Sequence, residues 1–409
     1  MIRAGAFAAL LLALCAAPAA AGLPLVPERV LTIRPERTTW TSLDISPDGR
    51  TIVFDVLGDL YRMPAGGGAA RQISEGLAFD SQPRFSPDGQ WIAFTSDRSG
   101  SENVWIARSD GTQARAITAF DDESVMVSPT WSADGRAVFA SRYWADVNNY
   151  ELWRFPLEGA SELLVPVKPA PDTPRDAWRS TLDASASADG KWLYYARRVG
   201  GLEFDKPGRW TILRRDLVTG MEQEVVAGSG GRGTDEDAFF APRIAPDGRR
   251  LAYVTRREGK SLLRLRDLAS GADTPLGETQ ADAMQASSWQ GMVPGMAFTP
   301  DGRALVLSRA GRFERQPLDG SAASLLPRTI TARVAVGAST RFAIREEAGP
   351  VESKLAMAPI ASPDGQSIAF AALGSLWVQQ LGQSEARRLP LGADMPAQPA
   401  WTPDGNTLA

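Results

Sequence analysis

One dipeptide, Asp-Gly, recurs eight times along this chain and marks an internal repeat. The repeated aspartates are Asp48, Asp88, Asp134, Asp189, Asp247, Asp301, Asp364 and Asp404, at intervals of 40 to 63 residues. In six copies a Pro precedes the Asp, and Ser, Thr or Ala precedes that Pro, as in Ser86-Pro87-Asp88-Gly89. Pro presets φ for the second position of a β-turn, Ser or Thr favours the first, and Gly closes the turn with positive φ. Each copy therefore predicts a tight turn between two strands.

The residues around each turn predict short strands. Trp91-Ile92-Ala93-Phe94 follows one turn, and such an unbroken apolar run indicates a strand that is buried on both faces. A second and weaker turn follows in each unit, for example Asp110-Gly111 after Asn103 to Ala107. Each unit thus offers four strands, and a single four-stranded unit cannot bury both faces alone. We predict an all-β fold, a β-propeller of four-stranded blades, with about seven blades and the start of an eighth.

The first 21 residues predict a secretory signal peptide. Arg3 is followed by an apolar run from Ala4 to Cys15 and by an Ala-rich end at Ala21, where cleavage is expected. The run is too short to span about 30 Å of hydrocarbon. We therefore expect a periplasmic or secreted mature protein that lacks cysteine and a membrane span.

The rest of the chain is assigned to the repeats. Residues 22–39 are expected to form a lead-in strand or linker, and residues 40–409 the propeller. The last unit, Trp401 to Ala409, stops within its second strand, so we expect a C-terminally truncated parent protein. The alternative is ring closure, with Arg29 to Ile33 supplying a missing strand to the last blade.

The repeat resembles the TolB-type propeller repeat, as the run Ser86-Pro87-Asp88-Gly89-Gln90-Trp91-Ile92-Ala93-Phe94 illustrates. Similar repeats occur in TolB, in the tricorn protease, in prolyl-oligopeptidase-like enzymes and before the barrel of secreted bacterial amidohydrolases. The resemblance covers about residues 36–409 and is specific for fold rather than function. TolB carries an α/β domain before its propeller, whereas the first repeat here begins near Trp40, so a role in the Tol–Pal system is not expected.

The resemblance implies a non-catalytic binding or scaffold module, as the N-terminal propeller of a larger metal-dependent amidohydrolase that acts on C–N bonds. Two alternatives stay open: the propeller of a prolyl-oligopeptidase-like serine peptidase, and a stand-alone periplasmic interaction module. Zinc or another divalent metal is expected only in a catalytic domain beyond Ala409. The partner is then a protein, a peptide or the catalytic domain of the same parent chain.

Composition removes most catalytic chemistry from the chain itself. It contains no His, and its single Cys lies in the predicted signal, so a Ser-His-Asp triad and a His-ligated zinc are excluded within it. The 44 basic and 48 acidic residues give a net charge of −4, which does not favour nucleic acid as a partner. We expect no catalytic residue and no cofactor in this chain. The acidic runs 121–123 and 235–237 are expected to be solvated loop charge, with calcium binding as the alternative.

The connections that vary in length predict where a partner binds. In a four-stranded blade they join the second strand to the third and one blade to the next, on the face opposite the short Asp-Gly turns. Variable loops on a rigid scaffold commonly carry function, and aromatic residues suit recognition surfaces. Packing within the loops is the alternative role for these aromatics. The candidate binding residues on this face are Tyr143, Trp144, Asp146, Tyr150, Trp178, Phe204, Asp205, Phe240 and Trp289.

Overall fold

The computed structural model describes residues 26–144, 149–200, 209–227, 238–257, 260–281, 291–337, 352–390 and 396–409. Within these ranges the regular structure is β-strand, apart from one 3-10 turn at Arg175–Ala177. The chain divides into two compact units, Met1–Ala338 and Ser339–Ala409. The all-β prediction is confirmed. The predicted signal peptide lies outside the described residues.

The strands of the described residues form seven antiparallel four-stranded sheets, whose strands follow chain order, and two two-stranded sheets. Sheet 1 consists of Leu43–Ile45, Thr51–Val56, Asp59–Pro64 and Arg71–Gln72. Sheet 2 consists of Ser81–Phe85, Trp91–Ser96, Asn103–Arg108 and Arg115–Ala116. Sheet 3 consists of Val125–Trp131, Ala137–Trp144, Asn149–Pro156 and Glu162–Val165.

The remaining sheets follow the same order. Sheet 4 consists of Arg179–Ala186, Trp192–Val199, Arg209–Asp216 and Glu222–Val226. Sheet 5 consists of Phe239–Ile244, Arg250–Arg257, Lys260–Asp267 and Asp273–Ala281. Sheet 6 consists of Ala297–Phe298, Ala304–Arg309, Arg312–Pro317 and Ser324–Leu325. Sheet 7 consists of Met357–Ala361, Ser367–Ala372, Ser375–Gln380 and Ala386–Arg388.

Seven of the eight repeated Asp-Gly pairs lie in the turn between the first and second strands of a sheet, and local hydrogen bonds explain the motif. In sheet 2, Asp88 Oδ1 accepts hydrogen bonds from Ser86 Oγ at 2.6 Å and from the Gln90 amide at 3.0 Å. Ser86 Oγ in turn accepts the Trp91 amide at 2.9 Å, and Gly89 has a φ of +69°. The Ser86 hydroxyl bond lowers the pKa of Asp88 below its usual value. These hydrogen bonds all form within residues 86–91, so the turn is stabilised locally.

Sheets 1 to 6 form a ring within the first unit. The first strands of sheets 1 to 5, which lie innermost, contact one another in chain order. The fourth strand of sheet 5 contacts sheet 6, and the first strand of sheet 1 contacts sheet 6 as well. Buried apolar clusters fill the spaces between neighbouring sheets, as where Phe139 and Leu152 of sheet 3 meet Tyr195 of sheet 4. The seam between sheets 6 and 1 is filled in the same way, by Phe313 and Phe54 among others. Burial on both faces, as predicted from the strand sequences, arises from this stacking.

The segment after sheet 6 runs across the seam to sheet 1. Arg328–Thr329 pairs in parallel with Gly68–Ala69, and the Arg333 amide donates to Gln72 Oε1 at 3.2 Å. Ala332–Val336 then pairs antiparallel with Arg29–Ile33. The alternative in which Arg29–Ile33 completes the last blade is therefore wrong, because this strand is paired within the first unit.

The second unit contains sheet 7 and the last Asp-Gly turn. Trp401 and Leu408 form an isolated antiparallel bridge, and the Ala400 and Ala409 backbones exchange two hydrogen bonds. Trp401 Nε1 donates to the Ile360 carbonyl at 3.3 Å, which ties the turn to the first strand of sheet 7. The eight Asp-Gly turns lie in the seven four-stranded sheets and this final hairpin, and six of the sheets contact one another as a ring. The predicted number of about seven blades stays a prediction.

Candidate functional site

The innermost strands share a bulge that sequence reasoning did not predict. Gln82, Ser128, Asp183 and Ala241 each stand six residues before the repeated Asp, and their φ values of 57°, 55°, 60° and 49° lie in the left-handed region. Strand register shifts at each of these positions, for example between Leu182 and Ser185. An extra residue in one strand of a pair changes the direction of its backbone groups. Here it allows amides of one sheet to reach side chains of the next.

These bulges carry a belt of hydrogen bonds around the axis of the ring. Asp55 of sheet 1 accepts the Ser42 and Gln82 amides at 2.9 Å and 2.7 Å. Gln82 Oε1 accepts the Ser128 amide at 2.8 Å, and Ser128 Oγ donates to Asp183 Oδ1 at 2.7 Å. Burial raises the pKa of Asp55 to about 7, although both amide bonds oppose the shift. The belt continues from Asp183 to sheet 5 and links sheets 1 to 5 through buried polar groups.

A central cavity of about 330 Å³ lies beside this belt. Residues from all six sheets of the ring line it, and many of them are apolar, including Ile45, Phe85 and Trp131. Its charged lining residues, within the described part of the chain, are Asp44, Arg84 and Arg243. Two guanidinium groups and one carboxylate therefore meet in a largely buried space. The sequence feature that could have indicated this site is the charged residue four positions before the repeated Asp in sheets 1, 2 and 5, within strands that are otherwise largely apolar.

Residues 291–296 close the cavity at the bulge end. Met292, Val293 and Met296 are buried, and the Gly295 amide donates to Ser42 Oγ at 3.0 Å. A Cβ on Gly291 would lie 3.5 Å from Asp183 Oδ1, and one on Gly295 would overlap the Arg84 guanidinium. At the opposite end the exposed prolines of three Asp-Gly turns, Pro47, Pro87 and Pro246, line the cavity. The cavity thus opens on the face of the short turns.

The opposite face carries the aromatic residues predicted from sequence, beginning with the hairpin at the end of sheet 3. Trp144 is 38% exposed, and its Nε1 donates to Glu151 Oε2 at 2.8 Å. The Arg142 guanidinium lies 4.6 Å from the Trp144 ring and pairs with Asp122. Tyr143 and Tyr150 are cross-strand partners with ring centroids 5.0 Å apart.

Trp178 lies on the connection between sheets 3 and 4. It is half-buried, with Nε1 donating to the Thr173 carbonyl at 2.9 Å and the Lys168 ammonium 4.6 Å from its ring. The Gly200 amide donates to the Trp178 carbonyl at 2.8 Å, which joins this connection to the second strand of sheet 4. The Tyr150 amide donates to Ser180 Oγ at 3.2 Å, so the ends of the two sheets are adjacent.

Two of the predicted binding residues are core residues. Phe240 is 0% exposed and packs against Trp210, with ring centroids 6.2 Å apart, and Tyr150 is 4% exposed. Both lie near the start of a strand rather than in a loop, and neighbouring sheets cover them, so they pack beneath the variable-loop face and are not exposed on it. Asp146, Phe204, Asp205 and Trp289 lie outside the described residues.

The described residues contain no group of three or more His, Cys, Asp or Glu side chains placed to hold a metal ion. In the first acidic run, Asp122 Oδ1 accepts the Ser124 amide at 3.0 Å and its other oxygen pairs with Arg142. The second acidic run lies outside the described residues. Among the residues that are described, none belongs to a helix with the length and apolar character needed to cross a bilayer.

The chain is similar to known proteins in both sequence and fold. The family model of the tricorn protease N-terminal beta propeller domain matches residues 42–201, which include sheets 1 to 3 and the first two strands of sheet 4. Tricorn protease homolog 1 of Streptomyces coelicolor is 27% identical over 240 residues, or 52% of this chain and 22% of that protein. Tol-Pal system protein TolB of Bordetella pertussis is 42% identical over 59 residues, or 14% of each chain. The chain thus spans well under two thirds of these relatives.

A similar solved structure is that of a putative TolB from Agrobacterium tumefaciens. It has a TM-score of 0.47 and 18% identity, and the match covers 64% of this chain and 87% of that one. The resemblance proposed from the Ser-Pro-Asp-Gly repeats is confirmed by the sequence matches. The chain thus resembles TolB-type β-propeller proteins, and its residues 42–201 match the N-terminal propeller of the tricorn protease.

Proposed function

We propose that this chain is an exported, non-catalytic binding module that docks a protein, a peptide or a catalytic domain of its own parent protein on the variable-loop face. The observation that carries the proposal is the pair of aromatic groups at the adjacent ends of sheets 3 and 4. Trp144 is partly exposed and Trp178 is half-buried, and each has a cationic side chain beside its ring. Aromatic residues supported by rigid neighbours are frequent energetic centres of protein interfaces.

The scaffold beneath the two tryptophans suits such docking. Strand pairing fixes the hairpin at Tyr143 and Tyr150, and the Ser180 hydroxyl joins it to sheet 4. The Trp144 indole N–H donates to Glu151 in the third strand of sheet 3, and the Trp178 indole N–H donates to the Thr173 carbonyl, so both rings are oriented before a partner arrives. Less conformational freedom is then lost on binding, which favours affinity.

Two parent enzymes are candidates. A metal-dependent amidohydrolase follows from the resemblance of the repeats, with its zinc or other divalent metal in a catalytic domain beyond Ala409. A serine peptidase of the prolyl-oligopeptidase type is the second, and the match to a tricorn protease homolog favours a peptidase partner. A stand-alone interaction module is the third arrangement. The reading frame after the Ala409 codon separates them: a His-x-His motif supports the amidohydrolase, Gly-x-Ser-x-Gly the peptidase and an immediate stop codon the stand-alone module.

Docking is tested by calorimetric titration of residues 22–409 with the domain encoded downstream, or with a cross-linked partner if the frame stops. Trp144→Ala and Trp178→Ala should each weaken association by about thirty-fold, the effect of an interface hot spot of about 2 kcal/mol. Trp192→Ala is the matched control, because Trp192 follows the short turn of sheet 4 on the other face and also carries a cation, Arg214, 4.2 Å from its ring. Weaker association of the Trp192 variant with no effect at Trp144 or Trp178 would mean that the partner docks on the short-turn face, and would refute the proposal.

A further inference from the structure

The central cavity holds two arginines at the same position of the repeat. Arg84 and Arg243 each stand four residues before the repeated Asp, in the first strands of sheets 2 and 5. In a ring of six sheets these two sheets stand opposite each other. Arg84 Nη1 donates to the Leu43 and Pro83 carbonyls at 2.6 Å and 3.3 Å. Arg243 Nη1 donates to the Pro242 carbonyl at 2.9 Å and to the Asp183 carbonyl at 3.5 Å.

Both guanidinium groups are thus held through one nitrogen by backbone carbonyls. This arrangement fixes the plane of each group and leaves further N–H donors of each without a hydrogen-bond partner among the described residues. Nor does either guanidinium form an ion pair with a carboxylate of the described residues. Arg84 is only 9% exposed, so its charge is poorly hydrated.

The lining of the cavity does not balance this charge. Asp44 is its one carboxylate among the described residues, and Asp44 Oδ2 already accepts the Phe85 amide at 2.8 Å. Burial raises the pKa of Asp44, whereas burial and the neighbouring Arg84 lower the pKa of Arg243 to about 10. The lining thus carries two guanidinium groups and one carboxylate beside Phe85, Trp131 and Phe298. The Asp55 and Asp183 carboxylates, which lie outside the lining, also interact electrostatically with Arg84 and Arg243 respectively. Among the described residues no carboxylate hydrogen-bonds to either guanidinium, so an anionic ligand would supply those bonds.

Two hydroxyl groups add further polar atoms to the lining. They belong to Thr130 and Ser185, at the equivalent repeat position in sheets 3 and 4. The cavity therefore offers mainly donors around two cations.

We propose that this cavity is a binding site for a carboxylate group, which enters from the short-turn face and is held between Arg84 and Arg243. A planar guanidinium matches a carboxylate through two parallel N–H···O bonds. The volume of about 330 Å³ accommodates a small acidic group rather than a folded domain. The site is independent of the docking surface at Trp144 and Trp178, because it opens on the opposite face.

The test uses three capped tripeptide probes and the mature chain. Acetyl-Ala-Asp-Ala-amide presents a side-chain carboxylate, acetyl-Ala-Ala-Ala presents a terminal carboxylate, and acetyl-Ala-Asn-Ala-amide is the neutral control. Calorimetric titration should show saturable binding of at least one acidic probe and no binding of the neutral one. The acidic probe that binds more tightly identifies the source of the carboxylate.

Variants connect the binding to the two arginines. Arg84→Gln and Arg243→Gln should each weaken the acidic probe by about ten- to hundred-fold, the range for losing a hydrogen bond to a charged group. Arg154→Gln is the matched control, since Arg154 lies on sheet 3, 3.9 Å from Glu162, and does not line this cavity. Wild-type binding should also weaken with added salt, a measurement that needs no variant.

Three results would overturn the proposal. They are equal binding of acidic and neutral probes, no saturable binding at about 10 mM probe, and unchanged affinity in both arginine variants. If circular dichroism shows that either variant does not fold, the comparison of acidic and neutral probes on the wild-type chain decides whether the proposal holds.

Discussion

Closure of the ring between sheets 6 and 1 can be tested through one aromatic pair. Phe54 in sheet 1 and Phe313 in sheet 6 are both 0% exposed, with ring centroids 4.9 Å apart at an interplanar angle of 82°. Replacing either by Leu keeps most of the apolar volume, so each change should cost about 1 kcal/mol in the free energy of unfolding. An edge-to-face aromatic pair contributes about 0.5–1.5 kcal/mol beyond its burial. The double variant should therefore lose less stability than the sum of the single variants, by that amount.

Urea denaturation followed by tryptophan fluorescence gives the four free energies of the cycle. Phe155→Leu combined with Phe54→Leu is the control, because Phe155 lies in sheet 3 and shares no cluster with Phe54. Its effects should add to within about 0.5 kcal/mol. Additive effects for Phe54 and Phe313 as well would mean that sheets 6 and 1 do not meet, and the six-sheet ring would be refuted.

Three further predictions concern the strands and turns. Phe94→Ala should lower the free energy of unfolding by about 3–5 kcal/mol, because this 1% exposed ring fills the space between sheets 1 and 2. Gln90→Ala in the turn should cost about 0.5 kcal/mol or less. Equal urea midpoints for the two variants would contradict the strand assignment. Ser86→Ala should lower the midpoint at pH 7 and have less effect as the pH falls below the usual Asp value of 3.8. The Ser86 hydroxyl holds the pKa of Asp88 in the folded state below its unfolded value, so this stabilisation is present above the unfolded pKa and is lost as the pH falls through the folded pKa. A loss of stability in Ser86→Ala that does not depend on pH would contradict this link between the hydroxyl and the Asp88 pKa. Gly111→Ala should lower the melting temperature, because Gly111 has a φ of +91° and a Cβ would overlap the Ile73 carbonyl oxygen, and a neutral result would show that this turn relaxes freely.

The candidate site was predictable only in part. The sequence indicated a partner surface on the variable loops; Trp144 ends the second strand of sheet 3, and Trp178 follows the 3-10 turn that precedes sheet 4. Phe240 did not meet that expectation because it begins a strand, and a neighbouring sheet covers it. The position of a residue in the sequence does not show whether a neighbouring sheet will bury its side chain. The binding role of the two tryptophans stays a prediction.

What the sequence alone determined is the repeating unit, because its chemistry is local. Ser86, Asp88 and Gly89 satisfy their hydrogen bonds within five residues of one another, and the following apolar run indicates a strand buried on both faces. Only the tertiary structure decided which sheets meet and what faces the axis. Arg84 and Arg243 are separated by more than 150 residues in sequence, and they share a cavity because ring closure places sheets 2 and 5 across from each other. That closure depends on side-chain packing between sheets 6 and 1, a contact between distant segments that no local pattern encodes.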